Sequence, residues 1–368
     1  MSGAGSDGQG QGEVVSEGVW SEQDTTPEAI EEALRELLRE QHAADRALAP
    51  ARVLNLIVIV DRDWKGEIAG RLERVGRYHG SRTILCAVED GRDTLDAVAT
   101  ITYAHGGSEG VHPMWERVEL DLGAEQLVRL DTIVDPILVS ELPTMVWSPH
   151  GHEEAVDALE RMIDVILLDS DDAAASGGLA RASEMLRSAY VVDLAWLRTT
   201  PWRERLAASF DPARRRAALQ RLTEVCVRHR ESSEVSAALL AGWLSTRLRW
   251  KVAPLGHANG AGRRGEAGRD DGGRVEISLA TVDQEVPGLA GVTVAWEGGC
   301  SLSLDRGEGG LSARERSESG EECSWRVLGA SRGEGGILGE GVRQALLRDP
   351  TYAPALERAI VLHGESGA

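Results

Sequence analysis

Two histidines separated by one residue, His150 and His152, stand in the stretch SPHGHEE, directly after the short apolar run PTMVW. Alternate histidines can share a metal ion, and Glu153 would add a carboxylate. A protein metal site needs further ligands, and no distant third ligand suggests itself. We therefore predict no metal here and interpret the stretch as a polar loop that leads into a helix.

Carboxylates follow two other apolar runs. Asp61 and Asp63 come after VLNLIVIV, and a second group comes after DVILL: Asp169, Asp171 and Asp172. Carboxylates gathered at a sheet edge can hold Mg²⁺. They also cap helix N-termini, a use for which Ser170 and Asp171 are well suited. We predict capping rather than a magnesium site.

The common motifs of nucleotide binding and nucleophilic catalysis do not occur in the sequence. The turn after VLNLIVIV is DRDWKGE rather than G-x-G-x-x-G, and there is no G-x-x-x-x-G-K-[ST]. No serine or cysteine stands in a nucleophile-elbow motif, and Cys86 lies in an apolar strand, where burial makes a thiol inert. We predict no catalytic residues and no cofactor.

The four cysteines are scattered, with no C-x-x-C and no metal-ligand spacing: Cys86, Cys226, Cys300 and Cys323. Isolated reduced thiols in a cytosolic protein explain them most simply. Cys300 and Cys323 belong to the same C-terminal segment, which leaves open a pairing that acts as a redox switch.

Tryptophan and arginine are concentrated in VDLAWLRTTPWRERLAASFD, residues 192–211. The residues concerned are Trp196, Arg198, Trp202, Arg203 and Arg205. Both types are enriched in binding hot spots, so the stretch suits a docking surface. Thr200 before Pro201 predicts a helix that begins at the proline. The alternative is that the tryptophans fill a buried junction while the arginines lie on a solvated face.

The composition is that of an acidic globular protein. Of the 368 residues, 42% are hydrophobic, and the formal net charge is −20, which disfavours binding to nucleic acid or anionic lipid. No run reaches the ~18–20 apolar residues that span a bilayer. The first residues lack the basic and apolar regions of a secretion signal, so we predict a cytoplasmic protein. The segment 196–251 is basic, and either the acidic N-terminal part or an acidic partner could balance it.

The apolar periodicity predicts an α/β domain with a partly parallel sheet, then a helical segment and a smaller C-terminal α+β domain. Residues 1–24, rich in Gly, Ser, Gln and Glu, are predicted to be a disordered tail. Residues 25–49 form a helix with Thr26 as N-cap and Pro27 at its first position. In the α/β domain, residues 50–178, the runs VLNLIVIV and TILCAV predict buried strands.

The second half of the sequence contains three further segments. Residues 179–252 show helical spacing almost throughout, including ARRRAALQRLTEVCVRH. Residues 253–273 have no apolar pattern and are predicted to be a flexible linker. Residues 274–368 alternate like antiparallel strands and end in two short helices.

Four stretches carry a family resemblance: HGSRTILC (79–86), ELPTMVWSP (141–149), DVILLDS (164–170) and DLAWLRTTPWRERLAASFD (193–211). In order and spacing they resemble the OpcA family, the glucose-6-phosphate dehydrogenase assembly proteins. ALLAGWLSTRLRW (238–250) resembles the helix that follows in that family. The chain departs from the family at Gly80, where proline is frequent, and at Ser148, where a second aromatic is frequent.

The resemblance implies a non-catalytic protein that binds glucose-6-phosphate dehydrogenase and supports its assembly or raises its activity, and so promotes the oxidative pentose phosphate pathway and NADPH supply. The docking element would include Trp196, Arg198, Trp202, Arg203 and Arg205. Two other functions stay open. One is a sugar-phosphate-binding enzyme or sensor that uses the strand-end residues Asp61, Asp63, His150 and His152. The other is a redox-sensing adaptor that acts through Cys300 and Cys323.

Overall fold

A computed structural model describes residues 14–44, 52–76, 80–105, 114–172, 177–258, 262–307, 310–328 and 333–364. The chain divides into two compact units, Met1–Asp164 and Val165–Ala368. Both combine strands with helices, which confirms the predicted α/β class followed by an α+β part. No helix in these described ranges is long and apolar enough to cross a membrane.

Strands and helices are numbered separately in chain order. The strands are β1 (Val14–Glu22), β2 (Leu54–Asp61), β3 (Ser81–Val88), β4 (Asp96–His105), β5 (Met114–Leu122), β6 (Thr144–Trp147), β7 (Val165–Leu168), β8 (Tyr190–Asp193), β9 (Leu222–His229), β10 (Gly256–His257), β11 (Gly262–Gly268), β12 (Arg274–Thr281), β13 (Leu289–Trp296), β14 (Cys300–Gly307), β15 (Gly310–Arg316) and β16 (Glu322–Leu328). The helices are α1 (Pro27–Ala44), α2 (Lys65–Gly76), α3 (Leu130–Val134), α4 (Glu153–Ala158), α5 (Gly178–Met185), α6 (Leu194–Ser209), α7 (Ala213–Arg216), α8 (Glu234–Arg247), α9 (Gly333–Gln344) and α10 (Tyr352–His363).

The first unit is built on a mixed sheet with the strand order β1-β4-β5-β3-β2-β6. β2 is parallel to β3 and to β6, and β3 is parallel to β5, whereas β4 pairs antiparallel with β1 and β5. All of β3 is buried, and so is β2 as far as Val60. Continuous apolar runs are expected where both faces of a parallel sheet are covered, so the two predicted strands are confirmed.

Helix α1 begins where the sequence predicts. The Thr26 hydroxyl accepts a hydrogen bond from the backbone N–H of Ala29 at 3.3 Å, as an N-cap does. Ile30, Leu34 and Leu37 are buried along one face. Residues 45–49 of the predicted helix lie outside the described residues.

Strand β1 corrects the prediction of a disordered tail. Val14 through Glu22 pair antiparallel with β4, from His105 back to Ala97. β1 is an edge strand, and its backbone hydrogen bonds to β4 order a segment that has little apolar side-chain pattern of its own. The rest of the predicted tail, residues 1–13, lies outside the described residues.

In the second unit, β7 and β8 form a parallel pair, and eight strands form a sheet in the order β10-β11-β12-β9-β13-β14-β15-β16. Helix α8 is buried on nearly every side and packs against α10. The predicted helical segment and the C-terminal strands therefore belong to one unit, and β9 supplies a central strand of its sheet.

Strand β9 corrects the helical prediction for LTEVCVRH. It pairs parallel with β12 and antiparallel with β13, with Leu222, Val225 and Val227 buried. The apolar residues Leu222 and Val225 are three positions apart, as in a helix, whereas Val225 and Val227 are two apart, as in a strand. We predicted a helix because the residues before Leu222 show helical spacing. Sheet pairing on both sides decides the outcome, since β-structure depends strongly on context.

The predicted linker 253–273 contains strands instead. β11 pairs with β12 along its whole length, from Gly262 opposite Ala280 to Gly268 opposite Arg274. Only Ala267 of GRRGEAG is buried, so no apolar alternation marks this strand in the sequence. Residues 259–261 lie outside the described part of the chain.

The redox pairing of Cys300 with Cys323 is wrong for this fold. Cys300 lies in β14 and Cys323 in β16, with β15 between them. Two strand spacings put the cysteines ~10 Å apart, beyond the ~7 Å between Cα atoms that a disulfide can span. Both are free thiols.

Candidate functional site

Helix α6 carries the segment rich in tryptophan and arginine. Asp193 is its N-cap and accepts a hydrogen bond from the backbone N–H of Ala195 at 3.0 Å. The helix continues through Pro201, so the predicted helix start at Thr200 is wrong. A proline removes one backbone donor from a helix, and the buried neighbours Leu197 and Trp202 hold the helix in place on either side.

Trp196 lies at the centre of a set of contacts within the second unit. Its indole N–H donates to Asp349 Oδ2 at 2.9 Å, and its ring lies 5.6 Å from that of Tyr352. The guanidinium carbon of Arg203 lies 3.6 Å from the centre of the indole, a cation–π contact. Arg203 Nη1 is also 3.7 Å from Asp349 Oδ2. We refer to Trp196, Arg203 and Asp349 as the Trp–Arg–Asp cluster.

Arg203 and Asp349 each offset the effect of burial on the pKa of the other. Burial lowers the pKa of Arg203 to about 10, although the charge of Asp349 acts the other way. Burial acts to raise the pKa of Asp349, but hydrogen bonds from Thr351 and Trp196 and the charge of Arg203 hold that pKa below its ordinary value. Both groups are therefore ionised at neutral pH, and the pair is covered by an indole.

The predicted docking residues differ widely in exposure. Trp196 and Trp202 are 2% and 1% exposed, so neither indole offers contact area at the surface. The side chains of Arg198 and Arg203 are 10% and 12% exposed, and Arg205 is partly exposed. The burial of both tryptophans is what the structural alternative predicts, but Arg198 and Arg203 do not lie on the solvated face that it also predicts. A docking role for the five residues stays a prediction.

Arg198 and three aspartates form a buried polar network. Arg198 donates to both oxygens of Asp169, at 2.7 and 2.6 Å, and lies 3.8 Å from Asp171. Asp171 accepts from the backbone N–H and the hydroxyl of Ser236, in the first turn of α8. Asp171 therefore caps a helix distant in sequence, which supports capping over a magnesium site.

Asp193 belongs to the same network. It accepts from the Ser170 hydroxyl at 2.7 Å and from the Tyr352 hydroxyl at 2.9 Å. Burial raises the pKa of Asp193 to about 6 and that of Asp171 to about 7. The network consequently joins β7, β8, α8 and α10 through two carboxyl groups that are expensive to ionise.

A partly apolar surface adjoins the Trp–Arg–Asp cluster. Leu346 and Leu347 are 50% and 48% exposed. The Tyr190 hydroxyl donates to the Leu347 carbonyl at 3.3 Å, and the Arg348 guanidinium carbon lies 5.7 Å from the Tyr190 ring. We refer to Tyr190, Leu346, Leu347 and Arg348 as the Leu–Arg surface. Exposed leucines beside an aromatic ring and an arginine are typical of protein interaction surfaces.

A second candidate lies in the first unit, at the carboxyl ends of β2 and β6. These neighbouring parallel strands pair from Asn55–Thr144 to Val58–Trp147. β3 lies on one side of β2 and β6 on the other, so the direction of the strand order reverses at β2. The carboxyl ends of β2 and β6 therefore border a topological switch point. Open α/β sheets bind ligands at such points.

Four side chains meet at this switch point: Asp61, Trp64, His150 and His152. The backbone N–H of Asp61 donates to His150 Nδ1 at 3.0 Å, and Asp61 Oδ1 lies 2.9 Å from His152 Nε2. The Trp64 ring is 5.6 Å from that of His150. Gly151, with φ of 77°, lets the loop reverse so that both histidines face Asp61. We refer to these four residues as the strand-end cluster.

The other predicted candidates lie apart from these contacts. Asp63 is exposed in the turn after β2, and Glu153 begins α4. Among the described residues, no three His, Cys, Asp or Glu side chains are placed to hold a metal ion. Complete burial raises the pKa of Cys86 to about 12, which agrees with an inert thiol.

Arg82, from the stretch HGSRTILC, has a structural role. Its Nε donates to Glu116 at 2.6 Å and its Nη1 to the Ile137 carbonyl at 2.6 Å, and Arg52 donates to the same carboxylate. Arg82 and Glu116 are both buried. Loss of Glu116 would therefore leave the Arg82 guanidinium without a charged partner in the core, whereas loss of Arg82 would leave Glu116 paired with Arg52.

Sequence reasoning missed Asp349 and Trp64. Asp349 stands 153 positions from Trp196, and no local pattern connects the two. Trp64 is the one aromatic residue in the polar turn DRDWKGE. An aromatic residue in a polar turn was the sequence feature that could have indicated a binding site here.

Known proteins give a consistent comparison. Residues 73–184 match the family described as the N-terminal domain of a glucose-6-phosphate dehydrogenase subunit, and residues 189–356 match its C-terminal domain. The chain is 27% identical over 185 residues to an OpcA protein of Nostoc punctiforme, covering 49% of this chain and 38% of that protein. It is 26% identical over 140 residues to OpcA of Synechocystis sp., covering 37% of this chain and 30% of that protein.

Both relatives are named for a proposed place in the OxPP cycle. The matched part spans well under half of their length. Among solved structures, an oxidoreductase from Sinorhizobium meliloti gives a TM-score of 0.46 at 11% identity, covering 86% of this chain and 99% of that one. A score of this size establishes neither a shared fold nor a shared activity. The two domain matches together cover most of the chain, and the protein therefore belongs to the OpcA family of glucose-6-phosphate dehydrogenase assembly proteins.

Proposed function

We propose that this protein is a non-catalytic subunit that binds glucose-6-phosphate dehydrogenase in the cytoplasm and raises its activity, and so promotes the oxidative pentose phosphate pathway and NADPH supply. The observation that carries the proposal is the match of both family domains, in order, along the chain. The absence of a glycine-rich phosphate-binding turn after β2 supports a non-catalytic role.

Activation would work by differential affinity. A partner that binds the active conformation or oligomer of the dehydrogenase more tightly than the inactive one shifts the population toward it. No cofactor of this chain is required for such an effect.

Docking on the enzyme would use the Leu–Arg surface, held in place by the α6 segment behind it. Trp196 and Arg203 fix Asp349, and the Tyr190 hydroxyl accepts from the Asp349 backbone N–H at 2.7 Å. The predicted docking residues Trp196, Arg198, Trp202, Arg203 and Arg205 would then act mainly by shaping this surface. Rigid support of exposed anchors lowers the entropy cost of binding.

The test is complex formation between the purified chain and the dehydrogenase from the same organism. Co-elution from a sizing column, in a fixed ratio that persists on dilution, supports the proposal. Separate elution over the whole concentration range attainable would refute it.

A second candidate function, a small-molecule sensor, is favoured by the strand-end cluster at the switch point. It needs no dehydrogenase and is compatible with the first.

A further inference from the structure

The strand-end cluster presents an aromatic ring and a carboxylate to solvent with two histidines behind them. Trp64 is 47% exposed, and the Asp61 side chain is 52% exposed. His150 and His152 side chains are 20% and 14% exposed. The site therefore combines a hydrophobic ring with a few convergent polar groups, as small-molecule sites do.

The hydrogen-bonding character of His150 is fixed by its neighbour. Nδ1 accepts from the Asp61 backbone N–H, so a neutral ring carries its proton on Nε2. Burial lowers the pKa of His150, with the charge of Asp61 acting against it, and the ring is neutral at pH 7. The ring thus carries its N–H donor on Nε2, while Nδ1 lies 3.7 Å from Asp61 Oδ2.

The charges around the cluster disfavour an anion. Lys65 lies 2.7 Å from Asp121 and 3.2 Å from Glu119, and Arg62 also pairs with Asp121. These cations are already paired with carboxylates, while Asp61 adds a negative charge at the site itself. A phosphate group would therefore meet a carboxylate with no unpaired cation among these neighbours to offset it.

A cation is also a poor match for the cluster. A carboxylate and an indole would attract an ammonium group, but an ammonium group has only hydrogen-bond donors and could not accept from the His150 N–H. A hydroxyl group suits both partners, because it donates to Asp61 and accepts from His150. The partly negative face of the Trp64 indole suits the C–H face of a sugar ring.

From these contacts we propose that the strand-end cluster binds a neutral, hydroxyl-rich small molecule of the sugar or polyol class. Asp61 and His150 recognise adjacent hydroxyl groups, and Trp64 packs against the ring. The inference goes beyond binding of the dehydrogenase, and its success or failure is independent of complex formation.

The test uses the full chain and ligand-observed saturation-transfer NMR with three probes: D-glucose, glucose 6-phosphate and tetramethylammonium. We expect saturable binding of D-glucose with a Kd on the order of millimolar, as a few hydrogen bonds to a small ligand give. Glucose 6-phosphate should bind at least severalfold more weakly, and tetramethylammonium more weakly still.

Three variants locate the site. Asp61→Ala and Trp64→Ala each should weaken D-glucose binding about tenfold or more, the loss expected when one good contact disappears. Asp63→Asn, at an exposed carboxylate in the same turn but outside the cluster, should bind as the wild type does. An unchanged thermal midpoint in Trp64→Ala shows that the loss is not unfolding, since its side chain is half exposed.

Four results would overturn the inference. They are the absence of D-glucose binding up to ~0.1 M, tighter binding of glucose 6-phosphate than of D-glucose, tighter binding of tetramethylammonium, and D-glucose binding that survives in both Asp61→Ala and Trp64→Ala. The second would indicate an anion site and the third a cation site.

Discussion

The indole of Trp196 and the carboxylate of Asp349 enclose the guanidinium of Arg203, which explains how a charged side chain is kept beneath the surface. An arginine stacked on a ring retains contact on its face while its edge donates hydrogen bonds, here to Thr199 and Thr200. Asp349 is the most sensitive position of the cluster, because its charge opposes the effect of burial on Arg203 more strongly than the charge of Glu204 does.

Replacement of Asp349 by Asn should lower the free energy of unfolding by about 1–2 kcal/mol, because Arg203 loses its charged partner where water reaches it poorly. The matched control is Asp305→Asn. Asp305 pairs with Arg228 at 2.7 Å, but its side chain is 42% exposed, so solvent screening should limit the loss to about 0.5 kcal/mol. Urea unfolding of both variants measures the two losses. An equal loss of free energy of unfolding in Asp349→Asn and Asp305→Asn would contradict the role given to the pair of Arg203 and Asp349.

Asp171 predicts a specific pH dependence. Its folded-state pKa of about 7 lies above the ordinary value, so the folded protein holds a proton that the unfolded chain releases. The stability it contributes is complete below pH ~4 and is lost as the pH rises through ~7. The free energy of unfolding of Asp171→Asn, relative to wild type, should therefore increase between pH 5 and pH 8.

Burial lowers the pKa values of His150 and His229, so these histidines make the folded state more stable as the pH rises. Both proteins contain them, and the difference between wild type and Asp171→Asn therefore cancels their effect. A difference between the two proteins that stays constant, or decreases, over this pH range would show that Asp171 is ionised throughout. Urea unfolding at several pH values provides the measurement.

At the scale of elements, the close crossing of α8 and α10 organises the second unit. A Cβ added at Gly242 in α8 would lie 2.3 Å from the Ala355 carbonyl and 3.0 Å from the Ala359 nitrogen of α10. Those neighbours are backbone atoms and cannot move aside alone. The absence of a side chain at Gly242 therefore sets the distance between the two helices.

Gly242→Ala should accordingly destabilise the protein by about 1–3 kcal/mol, the usual cost of overpacking. Gly70→Ala, within helix α2, is the control, because nothing lies within 4 Å of the added Cβ. There the same substitution should be neutral or stabilise by up to about 1 kcal/mol, since alanine loses less backbone entropy in a helix. If both variants behave alike in thermal unfolding, the crossing does not depend on Gly242.

Elements that the sequence predicted well are those whose apolar pattern is continuous. β2 and β3 contain continuous apolar runs that are buried, and α1 has a cap together with an apolar face. β1 and β11 could not be found in this way. Backbone pairing with β4 and β12 orders them, and among their side chains whose burial the structure describes only that of Ala267 is buried. The Trp196–Asp349 contact, between positions far apart in the chain, has no local signal at all.

At the scale of the whole molecule, the formal charge of −20 coexists with a basic stretch at 196–251. The second unit balances that stretch itself: Arg198 pairs with Asp169, Arg203 with Asp349, Arg215 with Glu315 and Arg228 with Asp305. Arginines engaged in this way have less charge to offer a partner. We therefore expect recognition of the dehydrogenase to depend mainly on apolar contact at the Leu–Arg surface.

Leu347→Asp should weaken the complex with the dehydrogenase about tenfold or more, because it places a charge where an exposed leucine would be buried. Val286→Asp is the matched control, since Val286 is 47% exposed in the same unit and lies outside the Leu–Arg surface. Titration by biolayer interferometry compares the two affinities. If the two variants bind the dehydrogenase with equal affinity, the docking site does not include Leu347.

The central claim, activation of glucose-6-phosphate dehydrogenase, is tested most directly by the activity of that enzyme from the same organism at low glucose 6-phosphate, titrated with this protein. The account predicts a saturable rise in rate that reaches its plateau at a fixed ratio of the two chains. An unchanged rate across the titration, with no complex on a sizing column, would contradict it.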